Sequence, residues 1–262
     1  MTTYTHGHAE AVLRSHRWRT AENSAAHLLP HLRDDQRLLD VGSGPGTITA
    51  DLARLVGEVV ALEVTEDAAA LTRAELERQG VDASVVVGDV HDLDLPDDSF
   101  DVVHAHQVLQ HVSDPVGALR EMLRVTRPGG VVAVRDSDYG HFSWHPASPG
   151  LDRWLELYSG VARSNGGEPD AGRMLLAWAH AVGATRVEAG SSTWCFATPE
   201  DREWWGSLWA DRVTSTALGR QLVEQGRATE DELAEVATAW REWAAHPDGW
   251  FSVLHGEMLI RA

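Results

Sequence analysis

The chain has 262 residues, 43% of them hydrophobic and 24% charged, enough apolar matter for one large α/β domain carrying extra elements. A formal net charge of −18, with its 22 basic residues gathered into no stripe, argues against a nucleic-acid partner. One cysteine excludes an internal disulfide or a cysteine metal cluster; the polar, basic start shows no secretory signal and no apolar run is long enough for a membrane span, so a cytoplasmic protein is expected.

In chain order, the stretch before residue 33 reads as helical. A buried strand is predicted over 37–41 (RLLDV), then a helix over 47–56. Strands follow at 58–64, 83–90, 100–106 and 130–136, with helices at 67–80 and 114–130 between them. Such alternation predicts a Rossmann-like, doubly wound sheet of about seven mostly parallel strands. Beyond it, 151–164 and 170–182 read as helices and 184–196 as a strand. Thr198 and Pro199 open a further helix, and Thr229 with Glu232 makes a capping box for another whose apolar face is Leu233, Val236, Ala237, Trp240 and Ala244. The last residues, 250–262, form a closing strand. The expected organisation is a helical lid (1–32), a cofactor-binding core (33–140), and a completing segment (141–262) with cap insertions near 145–168 and 198–248.

Between the first strand and its helix stands LLDVGSGPGTIT, with Gly42, Gly44 and Gly46. A dinucleotide fingerprint would place its third glycine at 47, which is Thr47. Asp40, two residues before Gly42, would repel a pyrophosphate but suits S-adenosylmethionine, which carries an ammonium and a sulfonium against one carboxylate. Glu63, closing the second strand, can accept both ribose hydroxyls, and Asp89 in GDV after the third can accept from an adenine amino group.

With LLDVGSGPGT, Glu63, GDVHDLDLPDDSFDVVHAHQVLQHVSDP and RPGG in this order, residues 37–137 resemble the class I S-adenosylmethionine-dependent methyltransferases, in particular bacterial small-molecule enzymes of the ubiquinone/menaquinone type. The resemblance implies that Asp40, Gly42, Ser43 and Gly44 meet the methionine part, Glu63 the ribose, and Val64, Asp89 and Val90 the adenine. His106 and Gln107 would line the cleft shared by cofactor and acceptor. Glu63-Val64-Thr65 departs from the family, where Asp followed by a small polar residue is common. An N-terminal helix over the cofactor is also implied, making Tyr4, His8, Trp18 and Arg19 lid candidates.

Methyl transfer is a displacement, so a base is needed only where the nucleophile must lose a proton. Candidates are His106, His111 and Tyr139, with Asp136, Asp138 and His141 in the loop that leaves the fifth strand. Asp138, His141, Trp205, Trp209 and His255 are candidate walls for a small-molecule acceptor, and His255 and Glu257 alternate with apolar residues on the last strand. The 11 tryptophans form a helical stripe at 204, 205 and 209, readable as core packing or as an aromatic lid. No third ligand joins Asp136 and Asp138, so no metal is expected. The resemblance extends to bacterial indole C3-methyltransferases acting on tryptophan-containing cyclodipeptides, which implies such an acceptor and a role in secondary metabolism; quinone, polyketide and amine acceptors are alternatives. A nicotinamide-dependent oxidoreductase and a non-catalytic S-adenosylmethionine sensor are the competing classes. A monomer or homodimer is expected.

Overall fold

The computed structural model describes the backbone of residues 10–262 and the side chains from residue 14 onward. In chain order the elements are α1 (Glu10–Arg17), α2 (Ala21–Ser24), β1 (Arg37–Val41), α3 (Thr47–Leu52), β2 (Glu58–Glu63), α4 (Glu66–Gln79), β3 (Ser84–Val87), β4 (Phe100–His106), α5 (Pro115–Val125), β5 (Thr126–Ser137), β6 (Ser143–His145), α6 (Pro149–Ser164), α7 (Ala171–Ala181), β7 (Val187–Phe196), α8 (Pro199–Ser215), α9 (Ala217–Glu224), α10 (Glu230–Ala245) and β8 (Trp250–Arg261). They build one eight-stranded sheet in the order β3-β2-β1-β4-β5-β8-β6, with β7 on the other side of β8. β1 to β5 run parallel; β8 pairs antiparallel with β5, β6 and β7. The strand order reverses between β1 and β4, so their carboxyl ends open a crevice, the usual ligand site of such sheets.

Local chemistry accounts for most boundaries. Thr65 caps α4 by accepting from Ala68 N, and Gly80 ends it at φ +63°. Asp114 caps α5 ahead of Pro115, and Thr198 caps α8 ahead of Pro199, each cap contributing about 1 kcal/mol. Thr229 accepts from Glu232 N at 3.1 Å, which supplies the forward half of the predicted capping box. Several boundaries move, among them the strand predicted over 83–90, which stops at Val87. The helix predicted over 47–56 stops at Leu52, and the Pro-Gly-Gly stretch predicted to close a helix already belongs to β5.

Apolar packing falls into three clusters. One sheet face packs on α5 and α7 through residues such as Leu119, Met122 and Leu175; the other packs on α2 and α3 through Ala21, Leu28, Ile48 and Leu52. The third cluster joins α6, α8, α9 and α10 above the strand ends and holds Trp154, Trp205, Trp209, Trp240 and Trp243. Its rings meet both edge to face, as Trp154 does with Trp209 and Trp240 at 4.6 and 4.9 Å, and stacked, as Trp209 does with Trp240 at 6.0 Å. Arg14, in α1, donates to Trp204 O and Ser207 Oγ of α8, which ties the first helix to this layer. Among the described residues no helix is long and apolar enough to cross a membrane.

Candidate active site

The turn after β1 needs its glycines. Gly42, Gly44 and Gly46 have φ of +70°, +56° and +86°, a region that L side chains rarely adopt. A Cβ on Gly42 would fall 2.5 Å from Val108 Cγ2, whereas one on Gly44 would meet nothing nearer than His16 Nδ1 at 4.0 Å. The Gly44 side of the turn is therefore open toward the chain that leaves α1. Glu63 stands across the turn: its Oε1 accepts from Gly44 N and its Oε2 from Val64 N, leaving one acceptor direction on each oxygen for ribose hydroxyls. Burial raises its pKa against the pull of those amides, as for a carboxylate still short of donors. Val64 is exposed at 68%, so the adenine end of the site is shallow.

Beyond the turn, α1, the ends of β4 and β5, β7 and α8 enclose a narrow cavity of about 30 Å³, room for no more than a few waters as it stands. Trp18, Trp194, Trp204, Trp205, Trp209, Tyr139 and Phe142 give it aromatic walls, and Arg19, Gln107, His111 and Arg212 its polar groups. His16 lines it as well and so joins it to the glycine turn. Gln107, at φ +55°, lies at its floor. Its Oε1 accepts from Arg19 Nη2 at 2.5 Å, and its Nε2 donates to Ser137 Oγ at 2.7 Å and to His255 Nε2 at 2.9 Å. His255 Nδ1 donates to Val253 O at 3.1 Å, which fixes a neutral tautomer. Tyr139 stacks on Tyr158 at 4.1 Å and hydrogen-bonds it.

The comparisons agree on one family. A methyltransferase-domain model matches residues 39–134. An uncharacterized methyltransferase of Schizosaccharomyces pombe is 33% identical over 98% of this chain and 96% of its own. The chain belongs to the class I S-adenosylmethionine-dependent methyltransferases.

S-adenosylmethionine is thus its cofactor, and the open glycine turn facing a donor-hungry Glu63 fits that group. The ubiquinone/menaquinone C-methyltransferase of Proteus mirabilis is 37% identical over 39% of this methyltransferase and 43% of its own length. The YcgJ protein from Bacillus subtilis has the same fold, with a TM-score of 0.62 at 18% identity over 92% of this chain and 98% of its own. The dinucleotide alternative is thereby set aside.

Several predicted site residues do other work. Asp40, 2% exposed, does not face the ligand crevice: its oxygens accept from Thr49 Oγ1 at 2.6 Å and meet His104 Nδ1 at 2.8 Å, because the β1–β4 register sets Asp40 beside His104. Ser43 turns its hydroxyl to Thr72 at 2.9 Å. Asp89 is held by His91, whose backbone N–H and ring lower its pKa; Val90 packs into the core. Asp138 is claimed by the Arg173 guanidinium and by His141 at 3.2 Å, and His141 itself is exposed, so neither lines the cavity. Asp136 lies on the sheet face that carries α7, its Oδ1 accepting from Gln110 N at 3.0 Å. Tyr4 and His8 lie outside the described residues.

Trp18, Arg19, Gln107, His111, Tyr139, Trp205 and Trp209 do converge on the cavity. His106 and His255 sit just behind it, their rings 5.7 and 4.4 Å from Trp194. None of these histidines is a strong base: burial, with the Arg19 charge, pushes His111 down to about 3 and His106 and His255 well below the usual imidazole range. Trp194 and Arg212 were not singled out in the sequence. Arg212 had a signal, since it continues the stripe of Trp205 and Trp209 at helical spacing; Trp194 had only its alternation with Phe196.

Proposed function

We propose that this methyltransferase acts on a flat aromatic small molecule that enters between the strand ends and α8, its entry parting the aromatic side chains that close the present cavity to about 30 Å³. The aromatic wall beside the glycine turn is the observation that carries this reading. Planar acceptors gain most from such walls, through area burial and offset or edge contacts. The chain's part in the displacement is to align the acceptor and exclude water. The bound cofactor supplies the activated methyl group. Indole C3 of a tryptophan-containing cyclodipeptide falls within this acceptor class, as do hydroquinones and polyketide phenols, and a place in secondary metabolism belongs to the same reading.

The test is turnover with S-adenosylmethionine on a panel of hydroquinones, polyketide phenols, a tryptophan cyclodipeptide and aliphatic amines, read by mass gain of one methyl and by S-adenosylhomocysteine release. Aromatic members should turn over. Turnover confined to aliphatic amines would overturn the reading, and binding of S-adenosylmethionine with turnover on nothing would favour a sensor.

A further inference from the structure

We propose that β7 is an intermolecular edge, on which a second copy of this chain lays its own β7 antiparallel about a two-fold axis at Ser191. Among the described residues the sheet has three free edges, β3, β6 and β7. β3 and β6 have four and three residues, the short strands with which soluble proteins blunt an edge. β7 has ten, paired with β8 in an unbroken register from Val187 to Phe196. It contains no proline, no basic residue and no bulge, and Glu188 is its one charged side chain. The backbone groups it turns away from β8 meet no partner among the described residues. From Glu188 to Ser191, and again at Thr193 and Cys195, its side chains are exposed as well. A strand this long and regular, with unpaired amides and carbonyls along one side, is a template for another strand.

Charge and symmetry name the occupant. At a formal −18, two copies repel each other over most of their surfaces. Along residues 186–196 that repulsion vanishes, because Arg186 and Glu188 cancel and every other side chain is neutral. An antiparallel pair centred on Ser191 sets Ala189 opposite Thr193 and Glu188 opposite Trp194, so no like charges face each other. Ala189, Ser191 and Thr193 are small and share the sheet face that carries α7, the face on which Ala189 stands beside Met258. α7 packs on β8 where Gly172 meets Gly256, and it leaves Met174 and Leu176 exposed on that same side. Joining two such edges continues the sheet from one copy into the next and satisfies the outward backbone groups of both. On its other face β7 carries Trp194, a wall of the aromatic cavity, so the joined edge backs that wall in each copy.

The test is the mass of the full chain in solution, by light scattering over a dilution series. A dimer is expected. Ser191→Lys sets two like charges on the axis and should raise the dimer dissociation constant at least about tenfold. Its affinity for S-adenosylhomocysteine should stay that of the parent, which shows that the variant has folded. Cross-linking reads the register. In a Cys195→Ser background, Ser191→Cys should yield a disulfide-linked dimer on oxidation, since facing Cβ atoms of an antiparallel pair lie about 5 Å apart. Thr193→Cys should not, its mate standing about 13 Å further along the pair. A monomer at every concentration, or a dimer in which Ser191→Cys fails to cross-link, overturns the proposal.

Discussion

Gln107 Nε2 donates to His255 Nε2 across 2.9 Å, and the same amide's oxygen holds Arg19, so one side chain on the β4 end joins the last strand to the segment after α1. Gln107→Leu removes both ends of this link. A hydrogen bond to a charged group contributes about 1.5–3 kcal/mol, so acceptor KM should rise roughly tenfold or more. Hydrogen exchange in residues 10–17 should quicken. Unchanged exchange there would show that Arg19 does not anchor α1.

The glycine turn separates stability from ligand binding. Gly42→Ala meets Val108 as well as a left-handed φ and should lower Tm clearly, by roughly 2 kcal/mol or more of stability. Gly44→Ala meets only the backbone cost, about 1 kcal/mol, but sets a methyl on the open face. It should weaken S-adenosylhomocysteine binding at least about tenfold. Calorimetry and thermal melts on the two variants check the contrast, which a reversed order would refute.

His27 packs under the sheet with neither ring nitrogen hydrogen-bonded, and burial pushes it down to about 3. An unfolded histidine takes its proton near pH 6.5, the folded one far lower, so its contribution is present above 6.5 and is lost as pH falls toward 3. His27→Met should therefore gain stability as the solution is acidified, by about 1 kcal/mol between pH 7.5 and 5.5. Urea melts at the two pH values measure this; a gain independent of pH would mean that His27 does not titrate as described.

Asp136 slopes the other way. Burial raises its carboxyl to about 7, and its Oδ2 has no partner. A raised carboxyl favours the fold at low pH, and that contribution is lost as pH rises through about 7. Asp136→Asn keeps the oxygen that accepts from Gln110 N and removes the charge, so its Tm should pull ahead of the parent between pH 6 and pH 8.5. Parallel Tm curves would refute the assignment.

How much of this was legible in the chain differs by residue. The strand 100–106, the cap at Thr198, and the glycine turn at 42, 44 and 46 are local events, governed by periodicity, φ preference and side-chain-to-backbone reach; all were readable. Glu63 was readable as well, because a strand's end next to a glycine turn has few directions in which to point. The partners of Asp40 and Asp138, His104 and Arg173, were not legible, because they come from other elements and only the packed sheet brings them close.

The sequence by itself determined the methyltransferase core and the type of cofactor, since the turn, the acids around it and their order depend on neighbours within a few residues. Only the tertiary structure decided the aromatic cavity beside the turn. Trp18 meets Trp194 and Arg212 meets Ser15 across much of the chain, and such meetings depend on strand register and helix docking, which the burial of the whole tryptophan layer sets.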